Sequence, residues 1–291
     1  MIGWGSNYDA DDAKNEFPIR IFDKEGNAVT QELVVNEAAD ETVKDADITA
    51  LKGDGFVAVW TTFAQETDFR IALYDNNGSK IGDEVVYNLP DIGAPSVPSV
   101  IALESGGDAV AWSQPDYEPY YRSGGSKTIK VQLFDETGNT TAAEVDVTKP
   151  AGQLDSFPEI TEGPDGQLLV VWKFYDPDVS GSTAYFAKII DQEGKVLVDE
   201  FQVHQDAAGG SGDSPPKVAW LDDSNFVVVW GAPGDSEPAG GAWGRHPGVW
   251  ARVFSSEGEP QGDEFVVNQQ TKDTQSYYEI EALEGGRFII T

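Results

Sequence analysis

The sequence predicts an all-β fold: a five-bladed β-propeller of four-stranded antiparallel blades, closed by N- and C-terminal strands that share one blade. Three observations predict it. A short apolar run ending in Trp returns along the chain as FVAVW (56–60), DAVAW (108–112), LLVVW (168–172) and FVVVW (226–230), with Trp4 in MIGW as a further member and FIIT (288–291) as a truncated one. Each run sits in the same larger unit of about 50–60 residues, built from four short β-type segments. Period-two alternation between Gly, Asp and Asn turns pervades the chain, and no stretch sustains a helical period. A single four-stranded blade cannot bury both of its faces, so blades stack, and a ring removes the exposed strand edges.

Within the unit, the first strand carries an apolar residue in register at Ile48, Val100, Ile160, Val218 and Ile280, and ends in turns such as KGDG, ESGG, GPDG, DDSN or EGG. The second strand is the Trp-ending run, whose Trp is expected to pack between blades. The third alternates as IRIF, IALY, VQLF, AKII and ARVF, and enters the turns DKEGN, DNNGS, DETGN, DQEGK and SSEGE. In four of these, Asp23, Asp75, Asp135 and Asp191 precede Gly by three residues. That pattern reads as a hairpin turn, where Asp accepts backbone bonds and Gly takes positive φ; a calcium loop would need a later bidentate Glu. The fourth strand carries Glu32, Glu84, Glu144, Glu200 and Glu264 and ends near Asn36, Asn88, Thr148, His204 and Asn268. One domain is expected over 1–291, with blade 1 split between about 1–36 and 277–291. Blades 2 to 5 fall at about 45–88, 97–148, 157–204 and 215–268.

Composition narrows the function. The chain has 291 residues, 40% hydrophobic and 11% aromatic, enough to bury a core. Its net charge of -32, from 51 acidic against 19 basic residues, excludes affinity for a phosphate backbone, so no nucleic acid is expected as a partner. Such acidity keeps a protein soluble, and the same excess of carboxylates suits divalent cations. Cys is absent, which removes disulfides and thiolate metal sites. No run of 18 apolar residues exists and MIGWGSNYDADD has no basic or apolar leader pattern, so neither membrane insertion nor an export signal is read here.

The segments ARVFSSEGEPQGDEFVVN (251–268) and PPKVAWLDDSNFVVVW (215–230), followed more loosely by the other periods, resemble repeats of very large secreted bacterial surface proteins, the RTX-type adhesins and haemolysin-type calcium-binding proteins. The resemblance spans almost the whole chain. It implies an extracellular or cell-surface location, a calcium-rich environment and a role in attachment.

Function is expected where the repeats differ, in the loops from second to third strands. Tyr117, Tyr120, Tyr121 and Arg122, then Phe174 and Tyr175, then Trp243, Arg245 and His246 bring aromatic and cationic groups to adjacent blades, able to stack on a sugar or anchor a protein. Asp9, Asp11, Asp12 and Glu16, with Asp176 and Asp178, offer hard oxygen ligands for calcium, the expected cofactor. The expectation is therefore a monomeric binding or adhesion module, not an enzyme, that recognises a glycan or surface protein with calcium ordering its loops. The alternatives are a structural spacer in a larger surface protein and a glycosidase, whose carboxylates would come from Asp45, Asp47, Asp155, Glu159, Asp213 and Glu279 near the innermost strands. A sialidase is disfavoured, since those strands hold no Arg cluster, and His204 and His246 lie in different blades with no nucleophile motif beside them.

Overall fold

The computed structural model of the chain describes residues 2–3, 17–36, 43–62, 68–88, 96–116, 126–148, 154–176, 182–204, 215–233, 247–269 and 278–291. It divides into two compact units, Met1–Asp146 and Val147–Thr291.

In the first unit, β1 (Ile2–Gly3), β2 (Pro18–Arg20) and β3 (Leu33–Val34) form an antiparallel sheet. Next comes a four-stranded antiparallel blade of β4 (Val43–Ala50), β5 (Phe56–Thr62), β6 (Asp68–Tyr74) and β7 (Lys80–Asn88). A second blade follows, made of β8 (Ser96–Ala102), β9 (Asp108–Asp116), β10 (Ser126–Phe134) and β11 (Val145–Asp146). The second unit repeats the pattern with β12 (Leu154–Glu162), β13 (Leu168–Asp176), β14 (Ser182–Ile190) and β15 (Val196–Gln202). Then come β16 (Lys217–Trp220), β17 (Asn225–Pro233), β18 (Pro247–Ser255) and β19 (Phe265–Val266), and last a hairpin of β20 (Ile280–Leu283) and β21 (Arg287–Ile290). The described residues contain no helix, and the blade expected from the repeat is present.

The recurrent Trp run is the second strand of each blade, and its composition follows from burial on both faces. Every residue of β5 is buried. Its side chains alternate between two interfaces: Phe56, Ala58 and Trp60 pack with Phe17, Ile19 and Val35, whereas Val57 and Val59 face Val110, Trp112 and Phe134. In the second unit Phe226, Val228 and Trp230 pack with Leu169, Val171 and Tyr185, while Val227 and Val229 face Tyr278, Ile280 and Phe288. Trp60, Trp112 and Trp230 thus each lie on the face turned to the preceding sheet. That shared position is why the run keeps the same period and the same large ring.

Outer strands are polar for the opposite reason. In β15 five of seven positions are exposed. The recurrent Glu residues there hold cations: Glu84 pairs with Arg70, and Glu144 accepts from Lys130 at 2.6 Å and from the Tyr87 hydroxyl at 2.9 Å. The hairpin turns form as the sequence implies. Oδ1 of Asp23, Asp75, Asp135 and Asp191 accepts backbone N–H groups two and four residues on, and in the fifth copy Ser255 Oγ takes that role at 3.3 Å. Among the described residues no helix is long and apolar enough to cross a membrane. Three innermost strands carry a bulge, between Val43 and Ala46 in β4, Ser96 and Ser99 in β8, and Ser156 and Glu159 in β12. Bulges of this kind re-aim side chains along the strand that carries them.

Candidate functional site

The residue just before the in-register apolar position of each first strand is Asp47, Ser99, Glu159, Lys217 or Glu279, polar in every blade. In the second unit three of these meet. Lys217, the first residue of β16, places Nζ 3.3 Å from Glu159 Oε1 on β12 and 3.4 Å from Glu279 Oε1 beside β20. Glu159 and Lys217 are largely buried, at 22% and 21% side-chain exposure, while Glu279 is open to solvent at 70%. One ammonium therefore ties together the first strands of three successive sheets. The backbone beneath is secured as well: the Tyr278 hydroxyl donates to Pro215 O at 2.9 Å, and burial holds that phenol well above its ordinary pKa.

On the same strand as Glu159 lies a carboxyl in a different state. Asp155 is buried opposite Phe174 of β13, and the Thr148 hydroxyl and Trp172 indole donate to it. Burial pushes its pKa up to about 6, with the nearby Glu200 adding to the rise, while the two hydrogen bonds oppose it. Glu200 is itself raised, chiefly by burial. Strand β12 thus presents one carboxyl that holds its proton near pH 6 and one carboxylate paired with an ammonium. A carboxyl that holds its proton beside an ion-paired carboxylate is an arrangement that acid–base chemistry on a polar bond can use. Between them lies the β12 bulge, and beside it Lys173, buried directly after Trp172, sets its ammonium 5.7 Å from the centroid of the Phe157 ring.

In the first unit Asp47 is committed to the backbone: Oδ2 accepts from Val100 N at 2.8 Å and Oδ1 from Ile48 N at 2.9 Å. The backbone N–H of Asp45 donates to Thr61 Oγ1 at 3.3 Å. A cleft of ≈ 250 Å³ in this unit, lined by Leu51, Lys52, Asp54, Ile81, Leu103 and Glu136 among others, holds none of the inner-strand carboxylates.

The loop residues proposed from sequence fare differently. Phe174 and Tyr175 are on β13, not in a free loop; Phe174 packs edge-on against Phe186 at 5.4 Å, a blade contact. Tyr117, Tyr120, Tyr121, Arg122, Trp243, Arg245 and His246 lie outside the described residues, as do Asp9, Asp11, Asp12, Glu16, Asp178 and Asp213. Asp176 is the last residue of β13, paired with Ser182. His204 is buried against Tyr185 and Trp230, a packing role. Among the described residues no group of three or more His, Cys, Asp or Glu is placed to hold a metal ion. Sequence reasoning named Asp155, Glu159 and Glu279 but missed Lys217, which the polar position preceding Val218 would have flagged.

No family profile matches the chain, and no curated protein matches it. Solved structures do. An alpha-L-arabinanase of Penicillium chrysogenum complexed with arabinobiose is 13% identical, with 93% of this chain and 77% of that one covered and a TM-score of 0.59. The GH93 alpha-L-arabinofuranosidase of Fusarium graminearum with arabinobiose is 15% identical, covering 94% and 78%, with a TM-score of 0.60. The Fusarium graminearum arabinofuranosidase with an iminosugar inhibitor is 13% identical, covering 94% and 78%, at 0.62. The likeness establishes the β-propeller fold. It also corrects the assignment to RTX-type adhesin repeats, and with it the non-enzymatic, calcium-binding adhesion module, because the matching propellers are glycoside hydrolases. The physical reason is plain in the packing. The positions that carried the resemblance, the Trp run and the Asp–Gly turns, are those that any stacked blade needs, and they carry no information about attachment.

Proposed function

We propose that the chain is a secreted glycoside hydrolase that cleaves a neutral oligosaccharide, with Asp155 as proton donor and Glu159 as the reacting carboxylate. The observation that carries this reading is the pair of unlike carboxyls on innermost strand β12. Asp155 holds a proton that it can pass to the leaving oxygen as the glycosidic bond breaks. Glu159 stabilises the positive charge that develops at the anomeric carbon, and a water molecule adds there, passing its proton to the Asp155 carboxylate and so restoring the acid. Lys217 and Glu279 hold Glu159 in place. The likeness to arabinan-cleaving propellers supports the reaction class and makes arabino-oligosaccharides the first substrates to try. The net charge of -32 favours a neutral glycan, since an anionic polysaccharide would be repelled on approach.

The test is sugar release from arabinobiose, linear arabinan and a panel of nitrophenyl glycosides between pH 4 and 8. Turnover is expected, with Glu159→Gln and Asp155→Asn each lowering kcat by on the order of 10²-fold or more. Because the donor must be protonated, kcat/KM should fall as pH rises past about 6, the pKa of Asp155. The reading fails if no glycoside is turned over, or if both variants match the parent protein.

A further inference from the structure

We infer that Phe157 is the platform on which a sugar ring stacks in this site, an assignment that rests on the hydrolase reading above and names the surface that binds its substrate. Among the described residues Phe157 is the one non-glycine residue with a left-handed backbone, φ 53°. That conformation is disfavoured twice over. A bulky side chain at positive φ crowds its own backbone, and Pro158 follows, which pushes the preceding residue toward the extended region. Backbone strain of this kind persists only where surrounding structure enforces it, and it collects at ligand clamps and active sites.

The ring's surroundings point the same way. Phe157 is only partly buried. The acid and the carboxylate flank it in the bulge: Asp155 lies two residues before it and Glu159 two residues after. The Lys173 ammonium at 5.7 Å from the ring centroid steadies its position through a cation–π contact. An aromatic face so placed suits the C–H face of a neutral sugar, which offers apolar area without charge. Stacking of that kind strengthens binding of substrate and transition state alike, so it lowers KM more than it raises kcat.

Glycine at this position tests the idea, because Phe157→Gly removes the ring and relieves the backbone together. Thermal melting, steady-state hydrolysis of arabino-oligosaccharides, and calorimetric titration of arabinobiose into the parent protein and the variant would be read side by side. The expected result is a melting temperature that is unchanged or higher, a KM raised about tenfold or more with kcat moving less, and arabinobiose binding weakened to the same degree. Phe157→Trp, which keeps an aromatic face, should hold KM near the parent value. Hydrolysis with an unchanged KM in Phe157→Gly overturns this assignment alone. A lower melting temperature with unaltered binding would likewise overturn it, by making the ring a packing residue. Arabinobiose binding that depends on Phe157 in a protein that hydrolyses no glycoside would sink the hydrolase and leave the platform standing, whereas no binding by the parent protein would remove the platform too.

Discussion

Four residues before the recurrent Trp, strands β5, β13 and β17 carry Phe56, Leu168 and Phe226, all buried; β9 carries Asp108. That carboxyl is fully buried, and among the described residues neither of its oxygens has a hydrogen-bond partner. Burial pushes its pKa up to about 7, and the charge of Asp135 adds to the rise. The folded state therefore holds a proton that the unfolded chain releases near pH 4, so stability contributed by neutral Asp108 is complete below that pH and is lost as pH rises through about 7. Across that window each pH step of one weakens the fold by about 1.36 kcal/mol, which makes the whole loss roughly 4 kcal/mol at most. Asp108→Leu, which restores the residue type of the other blades, should raise stability more at pH 8 than at pH 5 in denaturant titrations. An equal difference at both pH values would show that the carboxyl does not titrate across that range. The turn carboxylates behave oppositely: hydrogen bonds from Thr137 and Asn139 hold the exposed Asp135 down to about 2. Asp135→Asn keeps a side-chain oxygen able to accept the same two backbone N–H groups, so it should change stability little at neutral pH. Sequence alone identified those turns, because Asp followed by Gly three residues later has one favourable local geometry. It was silent on Asp108, since a buried unpartnered acid looks like any other acid until its neighbours are known.

At the scale of the strand, the second element of each blade was the most legible and the first the least. A run such as FVVVW is apolar on both faces because it is packed on both, and its period marks the blade without any knowledge of the ring. The first strands also carry one apolar residue in register, but the bulges in β4, β8 and β12 break their alternation, and the residues that the bulge re-aims are the ones with chemistry. Those bulges left no clear mark beyond Ser-x-Pro in SVPSV and SFPEI, whose Pro lacks the ladder N–H and so suits a bulge. The Trp positions also differ among themselves in a testable way. The Trp112 indole donates to Gln114 Oε1 at 3.3 Å, whereas the Trp60 indole N–H is buried with no partner among the described residues. Truncation of either to Ala should cost about 3–5 kcal/mol, from lost burial and the cavity left behind. Replacement by Phe should separate them: in Trp60→Phe the missing N–H removes an unmet donor, while in Trp112→Phe it orphans the Gln114 side chain. Melting temperatures that fall further for Trp60→Phe than for Trp112→Phe would contradict this account.

Across the whole molecule, the fold was legible because a repeat multiplies a weak local signal, while function was not, because the repeat records packing. A chain of this pattern looks alike whether its centre binds, cleaves or does neither; among the described residues, the unlike carboxyls of Asp155 and Glu159 on β12, the second tied to Lys217, are what favour the hydrolase reading. The charge is the other molecular property with consequences. With 51 carboxylates against 19 cations, the compact state concentrates repulsion that an expanded chain dilutes, and dissolved salt screens it over a Debye length of about 10 Å at 0.1 M. Sodium chloride raised from about 0.01 to 0.3 M should therefore lift the melting temperature, and potassium chloride should do so equally at equal ionic strength, since screening does not depend on which monovalent cation supplies it. The same field sets how substrates approach. A neutral oligosaccharide feels no steering, so kcat/KM measured well below the melting transition should stay nearly flat over that salt range even as stability climbs. A kcat/KM that rises steeply with salt would mean that the glycan cleaved is anionic and that the field opposes its entry, overturning the choice of a neutral substrate while leaving the carboxyl pair on β12 in its role.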